Sequence, residues 1–250
     1  MSVTLTTIPG IPGIKPGDDL AAVLLAALDK VGMRLAPGDI VVICQKVVSK
    51  AEGRIARLRD VVASPFAHRL AAQTADKDPR IIEVILRETN RIIKMDRGHF
   101  IVETGPGWVC ANAGVDESNS LAPDTVILLP ADPDASAGAL RTALHTASGA
   151  EVAVLITDTF GRPWREGLVD FALGLAGMEA QLDLRGERDL SGRELHHTVM
   201  AQADALAAAA GLLMRKGAGL PAILIRGYEF RSATGDAKSL IRKREFDLFR

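Results

Sequence analysis

Apolar and polar positions along the chain switch between a two-residue and a helical period, and the switches divide it into short strands and amphipathic helices. Residues 3–8 alternate as a strand and run into PGIPGIKPGDD, where Gly and Pro force a tight loop. Asp18 or Asp19 then caps a helix over 20–32, with Leu20, Val23, Leu24, Ala27 and Leu28 on its apolar stripe. Residues 39–44 form an apolar strand that continues into Gln45, Lys46, Val47, Val48, Ser49 and Lys50. Helices are expected over 61–75 and 78–88, the second opening on Asp-Pro. Short strands at 91–94, 100–103 and 107–110, with turn residues between them, predict an antiparallel meander. A strand at 125–129 precedes a helix at 135–147 capped by Asp132 or Asp134. Residues 151–157, EVAVLIT, are the clearest buried strand. Strand patterns at 168–175 and 180–184, an alanine-rich helix at 198–215, a strand at 221–226 and a short helix within 239–250 complete the chain. Meander and alternation together predict a mixed α/β (α+β) protein, not a doubly wound sheet. Residues 60–105 differ in character from their flanks, which suggests two packed subdomains within one unit spanning 1–250.

Composition narrows the classes. Nearly half of the 250 residues are apolar, so a sizeable core is available; with seven Phe, two Trp and one Tyr it must be built from Ala, Val, Leu and Ile. A net charge of −1 with no basic block argues against nucleic acid as a partner. No apolar run spans a bilayer and the N-terminus lacks a signal-peptide pattern, so a cytoplasmic protein with no membrane partner is expected. Cys44 and Cys110 sit in apolar runs without zinc spacing and read as buried thiols in a reducing compartment.

Two stretches share one layout. Residues 108–119, WVCANAGVDESN, run from apolar to small residues and end on Asp116 and Asn119. Residues 155–167, LITDTFGRPWREG, run from an apolar strand into Asp158 and Thr159, then Gly, Pro, Arg162, Arg165 and Glu166. Two aspartates released from strand ends suit a magnesium or manganese ion that also holds phosphate. Either aspartate equally suits a turn or helix cap. Lys46 and Lys50 beside Ser49 can hold phosphate as point charges, or simply solubilise a strand end. The IPGI stretch, Ile11, Pro12, Gly13 and Ile14, either offers backbone amides to a ligand or is a plain turn. His196 and His197 have no acidic or Cys partner at ligand spacing and read as surface or structural residues. Neither GxGxxG nor a Walker lysine motif is present.

Five stretches taken together resemble the coenzyme F-420:L-glutamate ligase family: IPGIKPGDDL, VVSKAEGR, CANAGVDESN, ITDTFGRPWREG and the closing LIRKREFDLFR. They occur in the family's order across residues 11–250. The resemblance implies a two-domain mixed-sheet fold, an intertwined homodimer, and GTP-dependent addition of L-glutamate to the carboxylate tail of a deazaflavin coenzyme. It implies Mg²⁺ or Mn²⁺, with K⁺ as a further cation, and later γ-linked additions. No fused nitroreductase-like domain is expected. Asp116 and Asp158 would hold one metal and Thr159 a second. Ile11, Pro12, Gly13, Ile14, Gln45, Lys46, Lys50 and Asn119 would contact the nucleotide. Met214, Arg215, Lys216, Gly217, Ala218, Gly219, Leu220 and Pro221 would close over it. One position departs from the family pattern M-G-E-x-x-G-x-P: Lys216 stands where an acidic or amide metal ligand is expected, and a charged ammonium has no acceptor. The second metal is then held otherwise, or Lys216 takes its place by pairing with phosphate.

The residues fit an acyl-phosphate route. Asp116, Asp158, Lys50, Arg162 and Arg165 would manage phosphoryl and carboxylate charge. Glu166 would act as a base for the incoming ammonium, or pair with a neighbouring arginine. Two alternatives stand beside this: another metal- and nucleotide-dependent amide ligase or phosphohydrolase on the same fold, and a non-catalytic nucleotide-binding protein.

Overall fold

The computed structural model describes residues 2–74, 77–96, 98–120, 122–215 and 217–248. In chain order the elements are β1 (Thr4–Thr7), α1 (Leu20–Lys30), β2 (Ile40–Cys44), α2 (Gln45–Ala51), β3 (Ile55–Arg57), α3 (Pro65–Ala71), α4 (Pro79–Arg87), β4 (Thr89–Asp96), β5 (His99–Thr104) and β6 (Val109–Ala111). They continue as β7 (Thr125–Ile127), α5 (Pro133–Ser148), β8 (Ala153–Arg162), β9 (Arg165–Ala176), β10 (Leu182–Asp183), β11 (Val199–Met200), α6 (Gln202–Gly211) and β12 (Ala222–Arg226). The chain divides into two compact units: Met1–Pro12, Asp19–Cys44 and Pro133–Leu240 form the first, and Gly13–Asp18, Gln45–Asp132 and Ile241–Arg250 the second.

The first unit is built on a five-stranded sheet of order β1-β12-β2-β8-β9. Only β2 and β8 run parallel, pairing Ile40 with Ala153 through Cys44 with Thr157; every other neighbour is antiparallel. A mixed α+β architecture is thus observed. Ile40, Val42, Ile43, Val154, Leu155 and Ile156 are buried, and each such side chain contributes roughly 1.5–3 kcal/mol when taken from water. Asp19 caps α1 by accepting from the Ala22 amide at 3.0 Å. Asp134 lies inside the first turn of α5, where it accepts from the amides of Leu175 and Ala237. The start of α5 presses directly on β9: a Cβ at Gly174 would lie against the Pro133 carbonyl.

The second unit packs α3 and α4 against the antiparallel sheet β4-β5-β6, which is the meander the sequence predicts. Leu70, Ile82, Ile85, Phe100, Val102, Ala113 and Val126 share its core. Ser64 and Asp78 cap α3 and α4, each with Pro at the first helical turn.

Four expectations are corrected. The stretch after β2 is the helix α2, not more strand, because Val47 and Val48 turn inward together with Gln45 and Ser49. The alanine-rich helix is shorter than 198–215: Val199 and Met200 pair with β10, and α6 spans Gln202–Gly211. The strand at 151–157 does not end before Asp158 but runs on to Arg162, paired with β9 with register shifts between Ile156 and Thr157 and between Gly161 and Arg162. At the chain's end, 3₁₀ turns at Ala237–Leu240 and Arg244–Phe246 replace the expected helix. Cys44 is half-buried, Cys110 is buried, and neither forms a disulfide.

Candidate functional site

In the second unit, α2 delivers Lys46 to the segment that follows β6. Its ammonium lies 2.6 Å from Asp116 Oδ2 and donates to Ser118 Oγ at 2.6 Å and to the Ser118 carbonyl at 3.1 Å. The other carboxylate oxygen of Asp116 accepts from the Ser118 amide at 2.6 Å. Burial alone would raise the Asp116 pKa; the hydrogen bonds from Lys46 and Ser118 outweigh it and hold the carboxyl below its ordinary value. Lys50, one helical turn beyond Lys46, is half-buried on α2. Gln45 is fully buried and accepts from the Ser49 hydroxyl at 2.9 Å.

The motif ANAG explains how Asp116 is presented. Asn112, Ala113 and Gly114 take φ of 53°, 54° and 69°, three successive left-handed residues that reverse the chain after β6. Asn tolerates that region and Gly favours it; Ala does not. Ala113 is buried in the core of the unit, and a Cβ on Gly114 would lie 2.5 Å from Leu129 Cγ. Asp116 then bridges to Ile127 through two backbone hydrogen bonds. Asn119, exposed, is also left-handed at φ 56°.

In the first unit, β8 and β9 form a long hairpin closed by Pro163 and Trp164, with Trp164 at φ 58° and 79% exposed. Asp158 and Thr159 therefore sit within paired strand. Successive side chains of a strand point to opposite faces. Asp158 shares one face with its partner Phe171 and with Phe160, whose rings stack. Thr159 is on the other face, donating to Asp170 Oδ1 at 2.6 Å. Arg162, Arg165 and Glu166 are exposed at the hairpin tip. The Arg162 guanidinium donates to the Glu166 carbonyl at 3.2 Å; the Glu166 carboxylate makes no ion pair among the described residues.

The remaining predicted residues divide by burial. Ile14 is buried and anchors its loop, Ile11 is half-buried, and Pro12 and Gly13 are exposed. Met214, Leu220 and Pro221 are half-buried, and Arg215, Gly217, Ala218 and Gly219 are exposed. Lys216 lies outside the described residues. His196 and His197 are exposed. Lys46 and Asp116 are brought together within one unit; Asp158 and Thr159 belong to the other. Sequence reasoning missed Ser118, Asn112 and Asp170. The small-residue run ANAG was the available sign of a left-handed turn at Asn112.

Among the described residues, no three His, Cys, Asp or Glu side chains gather as a ligand group. The candidate donors are two carboxylates and a hydroxyl, hard oxygens of the kind Mg²⁺ and Mn²⁺ take. A cation, the Lys46 ammonium, is already seated on Asp116. Taken singly, each of these donors is of the kind a divalent ion takes.

Residues 10–227 match the family model described as F420-0:Gamma-glutamyl ligase. A coenzyme F420:L-glutamate ligase of Methanothermobacter thermautotrophicus is 46% identical over 253 residues, covering 100% of both chains. That of Methanopyrus kandleri is 46% identical over 95% of this chain and 93% of its own. That of Archaeoglobus fulgidus is 39% identical over 100% and 97%.

Proposed function

Because this chain belongs to the F420-0:gamma-glutamyl ligase family, we propose that it is the enzyme that joins L-glutamate to the carboxylate tail of a deazaflavin coenzyme at the expense of GTP. The observation that carries this reading is a match that runs through both units and takes in Lys46, Asp116, Asp158 and Thr159.

A carboxylate is a poor electrophile and must be activated. Transfer of the γ-phosphoryl group to the acceptor carboxylate gives an acyl phosphate and GDP. The amine of glutamate then attacks the acyl carbon, the C–O bond to phosphate breaks, and inorganic phosphate leaves. Phosphoryl transfer depends mostly on positioning and on offsetting charge. Lys46 and Lys50, on one side of α2, hold phosphate oxygens as point charges. Residues 11–14, Gln45, Asn119 and residues 214–221 bind the rest of the nucleotide. Asp116 and Asp158 would hold one Mg²⁺ or Mn²⁺ ion and Thr159 a second, with K⁺ a further cation; a divalent ion would offset the charge on the transferring group. Arg162 and Arg165 offer forked donors to the carboxylates of glutamate and of the acceptor tail. Glu166, which makes no ion pair among the described residues, takes the proton from the glutamate ammonium. Lys216 pairs with phosphate in place of an acidic ligand. Later rounds extend the tail through γ-linked bonds.

On this reading the protein works as a homodimer, and the reaction runs in the cytoplasm. No helix among the described residues is long and apolar enough to cross a membrane.

The test is a mass spectrum of the deazaflavin precursor after incubation with the protein, GTP, Mn²⁺ and L-glutamate. Mass steps of one glutamate residue that vanish without GTP support the reading. GTP hydrolysis indifferent to both other substrates points to a phosphohydrolase, and GTP binding without turnover to a non-catalytic protein.

A further inference from the structure

Lys77 stands apart from the residues considered so far, yet it meets the turn that carries Asp116. Its ammonium donates to Asn112 Oδ1 at 2.9 Å and to the Gly98 carbonyl at 3.1 Å, and lies 5.0 Å from the centre of the Phe100 ring. Both acceptors are neutral. Asn112 Oδ1 also accepts from the Phe100 amide at 3.3 Å, so one side-chain oxygen ties the turn to β5 and to Lys77. A half-buried ammonium held by neutral groups costs desolvation, and burial accordingly lowers the Lys77 pKa, opposed by the charge of Glu117. Three successive left-handed residues, two of them not glycine, persist only where their surroundings over-determine them.

We propose that Lys77 is a positioning residue that holds the Asn112–Gly114 turn and, through it, sets the orientation of Asp116. The lysine does not touch Asp116; it acts through Asn112. Its consequence for turnover rests on the ligase reading, but its consequence for the turn does not.

The experiment is hydrogen exchange on the whole chain, comparing wild type with Lys77→Met, Lys77→Arg and Asn112→Gly. The reporters are the amides of Val115, bonded to the Asn112 carbonyl at 3.0 Å, and of Asp116, bonded to Ile127 at 3.0 Å. Lys77→Met is expected to speed exchange at residues 112–118 about tenfold while amides of β2, β8 and α4 keep their rates. Lys77→Arg, still a donor to two acceptors, restores protection. Asn112→Gly keeps the left-handed backbone but removes the acceptor, so it reproduces the Lys77→Met pattern and decides the matter if Lys77→Met does not fold. Unchanged exchange at 112–118, or a uniform rise through the core around Ile82 and Val102, overturns the proposal. In glutamate-addition assays kcat falls about tenfold in Lys77→Met with KM for glutamate unchanged. A wild type that shows no ligase activity removes the ligase reading and leaves the exchange result standing.

Discussion

The Lys46 ammonium and the Asp116 carboxylate form a 2.6 Å ion pair in which both groups are further engaged by Ser118. A residue assigned to phosphate and one assigned to metal are therefore a single charge-balanced cluster. Replacing Asp116 by Asn removes the anionic donor and leaves Lys46 facing a neutral amide. Turnover in glutamate addition should fall by roughly 100-fold or more, the order expected when an electrostatic element of a phosphoryl-transfer site is lost. The stability cost is small, about 0.5–1 kcal/mol, because the Asp116 side chain is 35% exposed and solvent screens the pair. The folded pKa of Asp116 is depressed. Its contribution is thus present above the unfolded value of about 3.9 and is lost as pH falls through the folded one. Thermal melts of both proteins between pH 2 and 7 would converge at the acid end (roughly the range set by the carboxylate pKa).

Gly114 is fixed by two independent constraints, its φ of 69° and the side chain of Leu129. Gly114→Ala should destabilise the protein by about 2 kcal/mol or more, since it combines strain at positive φ with overpacking. Adding Leu129→Ala relieves the clash but not the strain, so the double variant should lose less than the sum of the two single variants. Urea unfolding of the four proteins measures that coupling, and strict additivity would remove Leu129 as the cause.

What could be read from the sequence follows from how local each determinant is. The caps at Asp19 and Asp78, the meander and the buried runs of β2, β8 and β12 act through near neighbours or through periodicity, and they appear as patterned; the helix expected over 61–75 is cut back to Pro65–Ala71 by the Ser64 cap. Helix α2 escaped because QKVVSKA is too short to display a helical period, and its two valines mimic a strand. The hairpin β8–β9 escaped because TFGRPW looks like a loop; only pairing with β9 across the hairpin keeps Asp158 and Thr159 extended. The motif residues were named from the order of five stretches. The pairing of Lys46 with Asp116 across 70 positions, and of Thr159 with Asp170, depends on tertiary packing that no local pattern encodes.

The neighbours Asp158 and Thr159 point to opposite faces of the hairpin, so their substitutions should separate. Asp158→Asn preserves shape and should abolish turnover while leaving the melting temperature near that of wild type; near-normal turnover would sink its assignment as a metal ligand. Thr159→Val removes a proposed donor to the second metal and also the hydroxyl that donates to Asp170, so it should lower turnover and, unlike Asp158→Asn, also cost about 1 kcal/mol in stability. Denaturant melts beside turnover assays distinguish the two effects.

Asp204, in the first turn of α6, accepts from the Ala172 amide of β9 at 2.9 Å. Burial raises its pKa, and the amide only partly offsets that. A carboxyl whose folded pKa lies above the unfolded one holds a proton more tightly in the native state. Stability therefore declines as pH rises from the unfolded value of about 3.9 through the folded one. Asp204→Asn keeps the acceptor for Ala172 and removes the charge. It gives up a favourable charge at a helix N-terminus, a term that exists only while the carboxyl is ionised; the raised pKa means that burial outweighs it. The melting temperature of Asp204→Asn minus that of wild type should accordingly increase with pH, by roughly 2 °C between pH 3 and pH 7. A difference that is flat or falls with pH would show that the Asp204 carboxylate is stabilised, not penalised, where α6 meets β9.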